Sequence, residues 1–279
     1  MQLTLFELKI LAAKITRIAE AELMPRFERS KGTLKADGSL VTEADLAMQE
    51  AVSLHLREQW PQIPLLAEEM SQAEQEAQLA THSEGLWCLD PLDGTSNFAH
   101  GLPFFAVSLA LIVNGEVECG IVYDPCRKEC FCAMRGQGAW LNDKPLKTEE
   151  HASDQLGDCL ALVDFKRLPA ALASQLAAYP PYRSQRSLGS VALDWCWLAA
   201  QRVGIYLHGK QYPWDFAAGL CILGEAGGQA KTLEGDSPRL RHLGGTSIMA
   251  AANDRLFQQW RQHLERINTA QPRLGAASS

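Results

Sequence analysis

Along the first stretch of the chain the apolar residues Leu8, Leu11, Ile15 and Ile18 recur at helical spacing and predict a helix from Leu3 to about Phe27. Thr4 and Glu7 stand at capping-box spacing at its start, with Leu3 and Leu8 placed as a hydrophobic staple. Thr42-Glu-Ala-Asp45 repeats the box, so a second helix is expected from Thr42 to about Trp60, where Pro61 stops it. The intervening Lys31 to Leu40 reads as a Lys/Gly/Asp/Ser loop. From Leu86 the pattern becomes that of strands: Leu86 to Leu89, Phe105 to Val113, Glu116 to Val122, Glu129 to Met134, and a short piece near Ala139. Asn114-Gly115 between two apolar runs predicts a tight hairpin.

The polar segment Lys144 to Ser153 reads as a crossover into a second unit. There strands at Cys159 to Val163, Val203 to Leu207, near Ala230 and near Ile248 alternate with helices at Pro169 to Ala178, Ser190 to Gln201, Asp215 to Ala226 and Asp254 to Ile267. Alternation of this kind implies an α/β layer on a mixed sheet. The expectation is an α+β protein: an antiparallel-sheet part over residues 1–148, a mixed-sheet α/β part over 149–268, and a loose tail at 269–279 with too little apolar content to pack. No internal repeat at a fixed period is present.

Composition narrows the functional classes. With 47% apolar residues in 279, an ordinary buried core is expected. Lys and Arg number 26 against 33 Asp and Glu, a net charge of −7, which disfavours binding a nucleic-acid polymer and would repel an anionic substrate unless something local reverses the sign. None of the eight cysteines forms a CxxC, and Cys126, Cys130 and Cys132 read as half-buried strand cysteines. A reducing cytoplasm is the simplest compartment. Neither end carries a targeting pattern, and the longest apolar stretch, Phe104 to Val113, is too short to span a bilayer.

The densest chemical signal is Trp87-Cys-Leu-Asp-Pro-Leu-Asp-Gly-Thr-Ser-Asn-Phe98. A strand delivers Asp90, Pro91 breaks the ladder, and Asp93-Gly94-Thr95 forms a turn that opens a short helix. Asp90, Asp93 and the Leu92 carbonyl make an all-oxygen set suited to Mg2+, beside the Gly94 and Thr95 amides, which form an anion nest. Three further acidic segments are ordinary when taken singly: Leu65-Leu-Ala-Glu-Glu69 as a solvated strand end, Lys35 to Asp45 as a loop and cap, and Trp214-Asp215-Phe-Ala-Ala-Gly219 as a helix opened by an Asp N-cap, ending at Glu225-Ala-Gly-Gly228. Gly136-Gln-Gly138 lacks the third glycine of a dinucleotide loop, and Trp195 and Trp197 read as core or dimer-interface residues.

Together the four segments resemble the inositol monophosphatase family of lithium-sensitive, Mg2+-dependent phosphatases, over residues 5 to 267. The resemblance implies a layered αβαβα sugar-phosphatase-like fold with the active site between its two parts, and commonly a homodimer. It implies that Glu68, Asp90 and the Leu92 carbonyl hold one Mg2+, that Asp90, Asp93 and Asp215 hold a second, and that a weaker third lies near Glu68. Thr95, bonded to Asp45, would orient and help deprotonate the attacking water with assistance from Glu68, and the Gly94 and Thr95 amides would take the phosphate. The substrate would be a small phosphate monoester, with inositol 1-phosphate leading and histidinol phosphate, a sugar bisphosphate or a nucleotide 3'-phosphate as alternatives. A regulatory interaction protein with secondary phosphatase activity is the rival from another class. Three positions depart from the family pattern: Ala67 replaces the usual Gly before Glu68, Gly189-Ser190-Val191 stands where a small Gly-Thr-Ala-like substrate turn is expected, and His208 stands where a carboxylate contacts sugar hydroxyls. His208 reads either as a substrate contact or as a strand-end histidine.

Overall fold

The computed structural model of the chain describes residues 3–27, 29, 32–35, 40–80, 85–146 and 154–270. Helices α1 (Leu5–Glu22) and α2 (Glu43–Gln59) begin at the predicted caps. Glu7 N donates to Thr4 Oγ1 at 3.2 Å and Thr4 N donates back to the Glu7 carboxylate at 2.8 Å. In α2, Thr42 N donates to Asp45 Oδ2 at 2.7 Å, while Thr42 Oγ1 accepts from Ala44 N at 3.1 Å. Between the helices, β1 (Thr33–Leu34) and β2 (Leu40–Val41) pair antiparallel, so the ends of the expected loop form a small hairpin; residues 36–39 lie outside the described residues.

The first large sheet contains β3 (Leu65–Ala67), β4 (Leu86–Asp93), β5 (Ala106–Val113), β6 (Glu116–Asp124), β7 (Glu129–Met134), β8 (Gly138–Leu141) and β9 (Lys144–Leu146) in sequential order. Asn114 and Gly115 make the β5–β6 turn with positive φ at both (52° and 78°), as two-residue hairpins require. The expectation of a wholly antiparallel sheet is corrected at one edge, where β3 pairs parallel to β4. The chain covers that parallel step with α3 (Gln72–Ala80), which lacks an apolar stripe and was not expected. The predicted crossover begins as β9, and residues 147–153 lie outside the described residues.

The second sheet, in the order β11-β10-β12-β14-β13, is mixed as expected. It is built from β10 (Leu160–Asp164), β11 (Ser184–Arg186), β12 (Ile205–Gln211), β13 (Gln229–Lys231) and β14 (Thr246–Ala251), with α4 (Thr95–Ala99), α5 (Ala170–Ala178), α6 (Val191–Ala199), α7 (Pro213–Ala226) and α8 (Asp254–Ala270) completing the helices. The edge strand β11 was missed because Ser-Gln-Arg carries no apolar alternation. The predicted tail beyond Ala270 lies outside the described residues.

Three apolar cores define five layers. One face of the first sheet packs on α1 and α2 through residues such as Trp87, Leu109 and Ile121. The opposite face meets α6 and α7, whose far side meets Leu162, Tyr206 and Ile248 of the second sheet. The outer face of that sheet packs on α5 and α8 through Leu172, Trp260 and Leu264. The order αβαβα follows, with α7 sandwiched between the sheets.

Close backbone contacts fix α7. A Cβ on Gly120 of β6 would lie 2.6 Å from the Ala218 carbonyl, so only glycine lets the helix settle on that strand. At its far end Glu225 accepts from Gly136 N and Gly138 N, both at 2.8 Å, which ties the helix to the β7–β8 turn. Trp195 is fully buried, whereas Trp197 lies edge-on to Phe104 at 5.1 Å with the Arg127 and Arg202 guanidiniums over its ring. All eight cysteines are unbridged; Cys132 is buried and Cys126 and Cys130 are half-buried, and burial pushes their thiols up to about 12, about 11 and about 11. Among the described residues no helix is long and apolar enough to cross a membrane.

Candidate active site

Strand β4 runs through Pro91 rather than ending at it, by means of a register shift between Asp90 and Asp93. In a regular strand, positions three apart face opposite sides; the irregularity allows both carboxylates to serve one site. Asp90 Oδ1 accepts from Leu92 N at 3.0 Å, which folds its side chain back over the bulge. The parallel partner β3 delivers Glu68 beside it, with Glu68 N donating to the Leu89 carbonyl at 3.1 Å. Gln75, the buried residue of α3, donates to the Ala67 and Glu68 carbonyls at 3.1 Å each and so fixes the strand end from behind.

Asp215 reaches the same place from α7. It is the third residue of that helix rather than its opener: the helix starts at Pro213, Tyr212 is the cap, and Asp215 Oδ2 accepts from Tyr212 N at 2.8 Å. Glu68, Asp90 and Asp215 offer carboxylate oxygens that all lie within 4.8 Å of one another, the one such group of metal-ligand type among the described residues. Burial, and then the neighbouring Glu68, push Asp90 and Asp215 well above the ordinary carboxylate range. Glu68 is also raised, first by burial, against the opposing pull of Lys35. Three converging carboxylates, Asp90 buried and Glu68 and Asp215 half-buried, oppose one another's ionisation, and such a hard all-oxygen donor set suits a divalent cation such as Mg2+.

Asp93 stands next to this group but outside it. Its Oδ2 accepts from Ser190 Oγ and from Ala192 N, the latter at 2.8 Å, so the start of α6 holds one of its oxygens. Burial raises it to about 6, with those hydrogen bonds opposing. Ser190, expected to touch substrate, is fully buried against Asp93 and caps α6. Gly189 has a φ of 81°, and a Cβ there would sit 3.1 Å from the Asn97 amide; Val191 is the first residue of α6. Asn97 donates to the Phe104 and Leu188 carbonyls at 2.7 and 2.8 Å, which joins the β4 motif to the Gly189 turn.

Gly94 caps α4 in the left-handed region with φ 94°, and a Cβ there would lie 3.0 Å from the Phe104 carbonyl. Thr95 Oγ1 lies 3.0 Å from both Asp45 Oδ1 and the Leu92 carbonyl oxygen. Asp45 thereby uses one oxygen in the α2 capping box and the other at Thr95, and burial raises it despite these donors. The sequence motif thus acts twice, as helix start and as site wall.

Three participants were not foreseen. Lys35 Nζ lies 2.6 Å from Glu69 Oε1 and 3.3 Å from Glu68 Oε1, and Glu69 is raised to about 7, by burial first. Asp194 of α6 is buried with Oδ1 unpartnered, its carboxyl pushed far up by burial and by Asp93. One acid inside the apolar run Val-Ala-Leu-Asp-Trp-Cys-Trp was the available signal. Asp164 is the third, and it faces His208. That ring is 5% exposed, with Nε2 3.1 Å from Asp164 Oδ2 and Nδ1 accepting from Lys210 N at 3.2 Å. His208 is therefore a buried strand residue with both ring nitrogens engaged inside the protein, rather than a partly exposed strand-end histidine.

Comparison with known proteins agrees with this arrangement. Residues 2–275 match the model of the inositol monophosphatase family. The chain is 34% identical over 273 residues to the Nus factor SuhB of Haemophilus influenzae, covering 95% of this chain and 96% of that protein. It is also 34% identical to the fructose-1,6-bisphosphatase/inositol-1-monophosphatase of Thermotoga maritima, over 80% of this chain and 83% of that one. The solved structure of a Thermotoga maritima IMPase superposes with a TM-score of 0.77 at 28% identity, covering 95% and 97% of the two chains.

Proposed function

The chain belongs to the inositol monophosphatase family and is a phosphoric monoester hydrolase, and from this premise we propose that it hydrolyses small phosphate monoesters, inositol 1-phosphate among them, with Mg2+ held in the acidic cluster. The observation that carries the reading is the convergence of Glu68, Asp90 and Asp215 within 4.8 Å at the bulged end of β4. One ion would be held by Glu68, Asp90 and the Leu92 carbonyl, a second by Asp90, Asp93 and Asp215, and a weaker third near Glu68. Bound there, Mg2+ neutralises the phosphate charge and acidifies water.

In the reaction the ester P–O bond breaks, a bond forms from phosphorus to a water oxygen, and one water proton ends on the departing alkoxide. Thr95 Oγ1, 3.0 Å from Asp45 Oδ1, orients the water and passes its proton toward that carboxylate, and Glu68 assists as a second base. The backbone N–H groups of Gly94 and Thr95 at the start of α4 take the phosphate oxygens. Ser190 and Ala192 N hold Asp93 in place. The Gly189-Ser190-Val191 turn borders the leaving group through its backbone. No side-chain nucleophile is needed.

The test is phosphate release from inositol 1-phosphate, histidinol phosphate, a sugar bisphosphate and a nucleotide 3'-phosphate, each with Mg2+, with EDTA and with Li+. Release that needs Mg2+ and is inhibited by Li+ supports the reading. A well-folded, metal-loaded chain that turns over none of these esters overturns it, and turnover of nucleotide 3'-phosphate alone selects a different substrate. The reading also includes a cytoplasmic homodimer, checked in solution by sedimentation. A second role, as a regulatory interaction partner, is favoured by the similarity to a protein named as a Nus factor. If that role exists, the Asp90→Asn chain complements loss of the wild type in cells; failure of that inactive chain to complement, where the wild type does, argues against it.

A further inference from the structure

Strand β3 stops just short of its functional side chain. Its register with β4 ends where Ala67 meets Leu89, so the regular ladder does not extend over Glu68 and Glu69. The backbone of Glu68 is held all the same. The peptide planes on either side of its Cα carry two N–H and two carbonyl groups, and the rotations of those planes are its φ and ψ. Glu68 N donates to the Leu89 carbonyl at 3.1 Å, and Glu69 N donates to Gln49 Oε1 of α2 at 3.1 Å. The Ala67 and Glu68 carbonyls, one on each plane, both accept from Gln75 Nε2 at 3.1 Å. Met70 N also donates to the Ala67 carbonyl, at 3.3 Å. Every polar group of the two planes is thus engaged, and a single side-chain nitrogen ties one plane to the other.

That amide is what α3 contributes. The buried residue of this helix is Gln75, a carboxamide, so the helix gains little by covering apolar surface. Both of its ends are pinned. At the start Ser71 N donates to Glu74 Oε2 at 2.8 Å and Glu74 N donates back to Ser71 Oγ at 3.3 Å. At the end Arg241, from the loop between β13 and β14, donates to the Leu79 carbonyl at 3.0 Å, and Leu79 packs against the core between the sheets. Carbonyls only accept, so the nitrogen of Gln75 is the atom that faces them.

The Glu68 carboxylate stands at the end of a flexible, half-buried side chain, and its aim follows from the direction in which the backbone launches it. Metal ligands must be held to within about 0.5 Å for a site to keep its geometry. We propose that Gln75 is a positioning residue for the metal site: by bridging the two carbonyls it sets the backbone of Glu68 and, through it, the affinity for Mg2+. The inference rests on the phosphatase reading above, and Gln75 acts through Glu68 rather than on the reacting atoms.

The test measures Mg2+ affinity by calorimetry for wild type, Gln75→Met and Gln75→Asn, each with Glu68 intact and with Glu68→Gln. Methionine fills similar space without a donor, and asparagine keeps the amide on a shorter stem that cannot bridge both carbonyls. With Glu68 intact, both substitutions should weaken Mg2+ binding by about tenfold or more. In the Glu68→Gln background neither should weaken it further, because the carboxylate being positioned is gone. A merely structural loosening of α3 would instead lower affinity by the same factor in both backgrounds. Melting in EDTA identifies the folded variants, and asparagine, which leaves a polar group at the buried position, keeps the test open if the methionine variant does not fold. A wild type that binds Mg2+ and hydrolyses inositol 1-phosphate, with affinity unmoved by the Gln75 substitutions, overturns the assignment of Gln75 and leaves the phosphatase reading standing. Equal losses in the two backgrounds do the same. A wild type that neither binds Mg2+ nor releases phosphate from any ester overturns the phosphatase reading itself.

Discussion

Asp90→Asn should stabilise the metal-free protein and weaken its response to metal. The carboxylate oxygens of Glu68, Asp90 and Asp215 lie within 4.8 Å of one another. At that distance two unit charges repel by about 3.5 kcal/mol at an effective dielectric near 20, so ionising Asp90 against two ionised neighbours would cost about 7 kcal/mol. Binding a proton costs less. At about 1.4 kcal/mol per pH unit above the ordinary aspartate value, holding one at pH 7 costs about 4 kcal/mol, which caps what Asp90 takes from the metal-free fold. Asparagine keeps the Oδ1 acceptor for Leu92 N and drops the charge. The variant should gain about 2–4 kcal/mol without metal, or roughly 5–10 °C in melting temperature for a chain of this size. Mg2+ narrows the gap and, at about a thousand times the wild-type Kd, where a ligand that binds only the folded state adds about 4.1 kcal/mol, brings the wild type level with or above the variant, which binds the ion more weakly. Thermal melts of both proteins at pH 7, in EDTA and in a Mg2+ series, read both effects. A variant that melts lower than wild type in EDTA and gains as much from Mg2+ would refute the reasoning.

Stability without metal should fall as pH rises. Asp93 at about 6 and Glu69 at about 7, with Asp90 and Asp215 also raised by burial, stand above their unfolded values, so the folded chain holds more protons than the unfolded one. Their contribution is full below about pH 4 and is lost through pH 6 and beyond; saturating Mg2+ should flatten that slope, and urea midpoints against pH with and without metal check it. Ser190→Ala removes the hydroxyl donor that orients Asp93 and should weaken Mg2+ binding about tenfold by calorimetry, with Ser190→Thr restoring part of it; unchanged affinity in the alanine variant counts against the arrangement. Gly120→Ala inserts a methyl against the Ala218 carbonyl and should cost about 1–3 kcal/mol of stability by denaturant titration, together with Mg2+ affinity, because α7 carries Asp215. Lost stability with intact affinity would separate that contact from the site.

Much of this was legible in the residues because local chemistry coincides with the tertiary role. Thr42 and Asp45 announce a helix start, and the same Asp45 then reaches Thr95. Asp90-Pro-Leu-Asp-Gly-Thr announces a turn, and the bulge it makes aims both acids. The misses have a common cause, in that their partners are distant in sequence. Nothing near Ser190 says that its hydroxyl meets Asp93, 97 positions away. Nothing near Lys35 names Glu68 and Glu69. His208 was open to a substrate role because its neighbours Tyr206, Leu207 and Gly209 give no hint of Asp164, which lies across the sheet. Edge strand β11 and helix α3 lack apolar periodicity and exist through tertiary pairing. Net charge misled in a similar way: −7 describes the whole chain, while the converging acids describe a site whose sign a bound cation would reverse.

The most direct measurement of the central claim is turnover of inositol 1-phosphate in 18O-labelled water by the Mg2+-loaded chain. The account predicts one 18O atom in each released phosphate, none in the inositol, and loss of release both in EDTA and in Asp90→Asn. Label in the inositol, or release that persists without metal and without the Asp90 carboxylate, would contradict it.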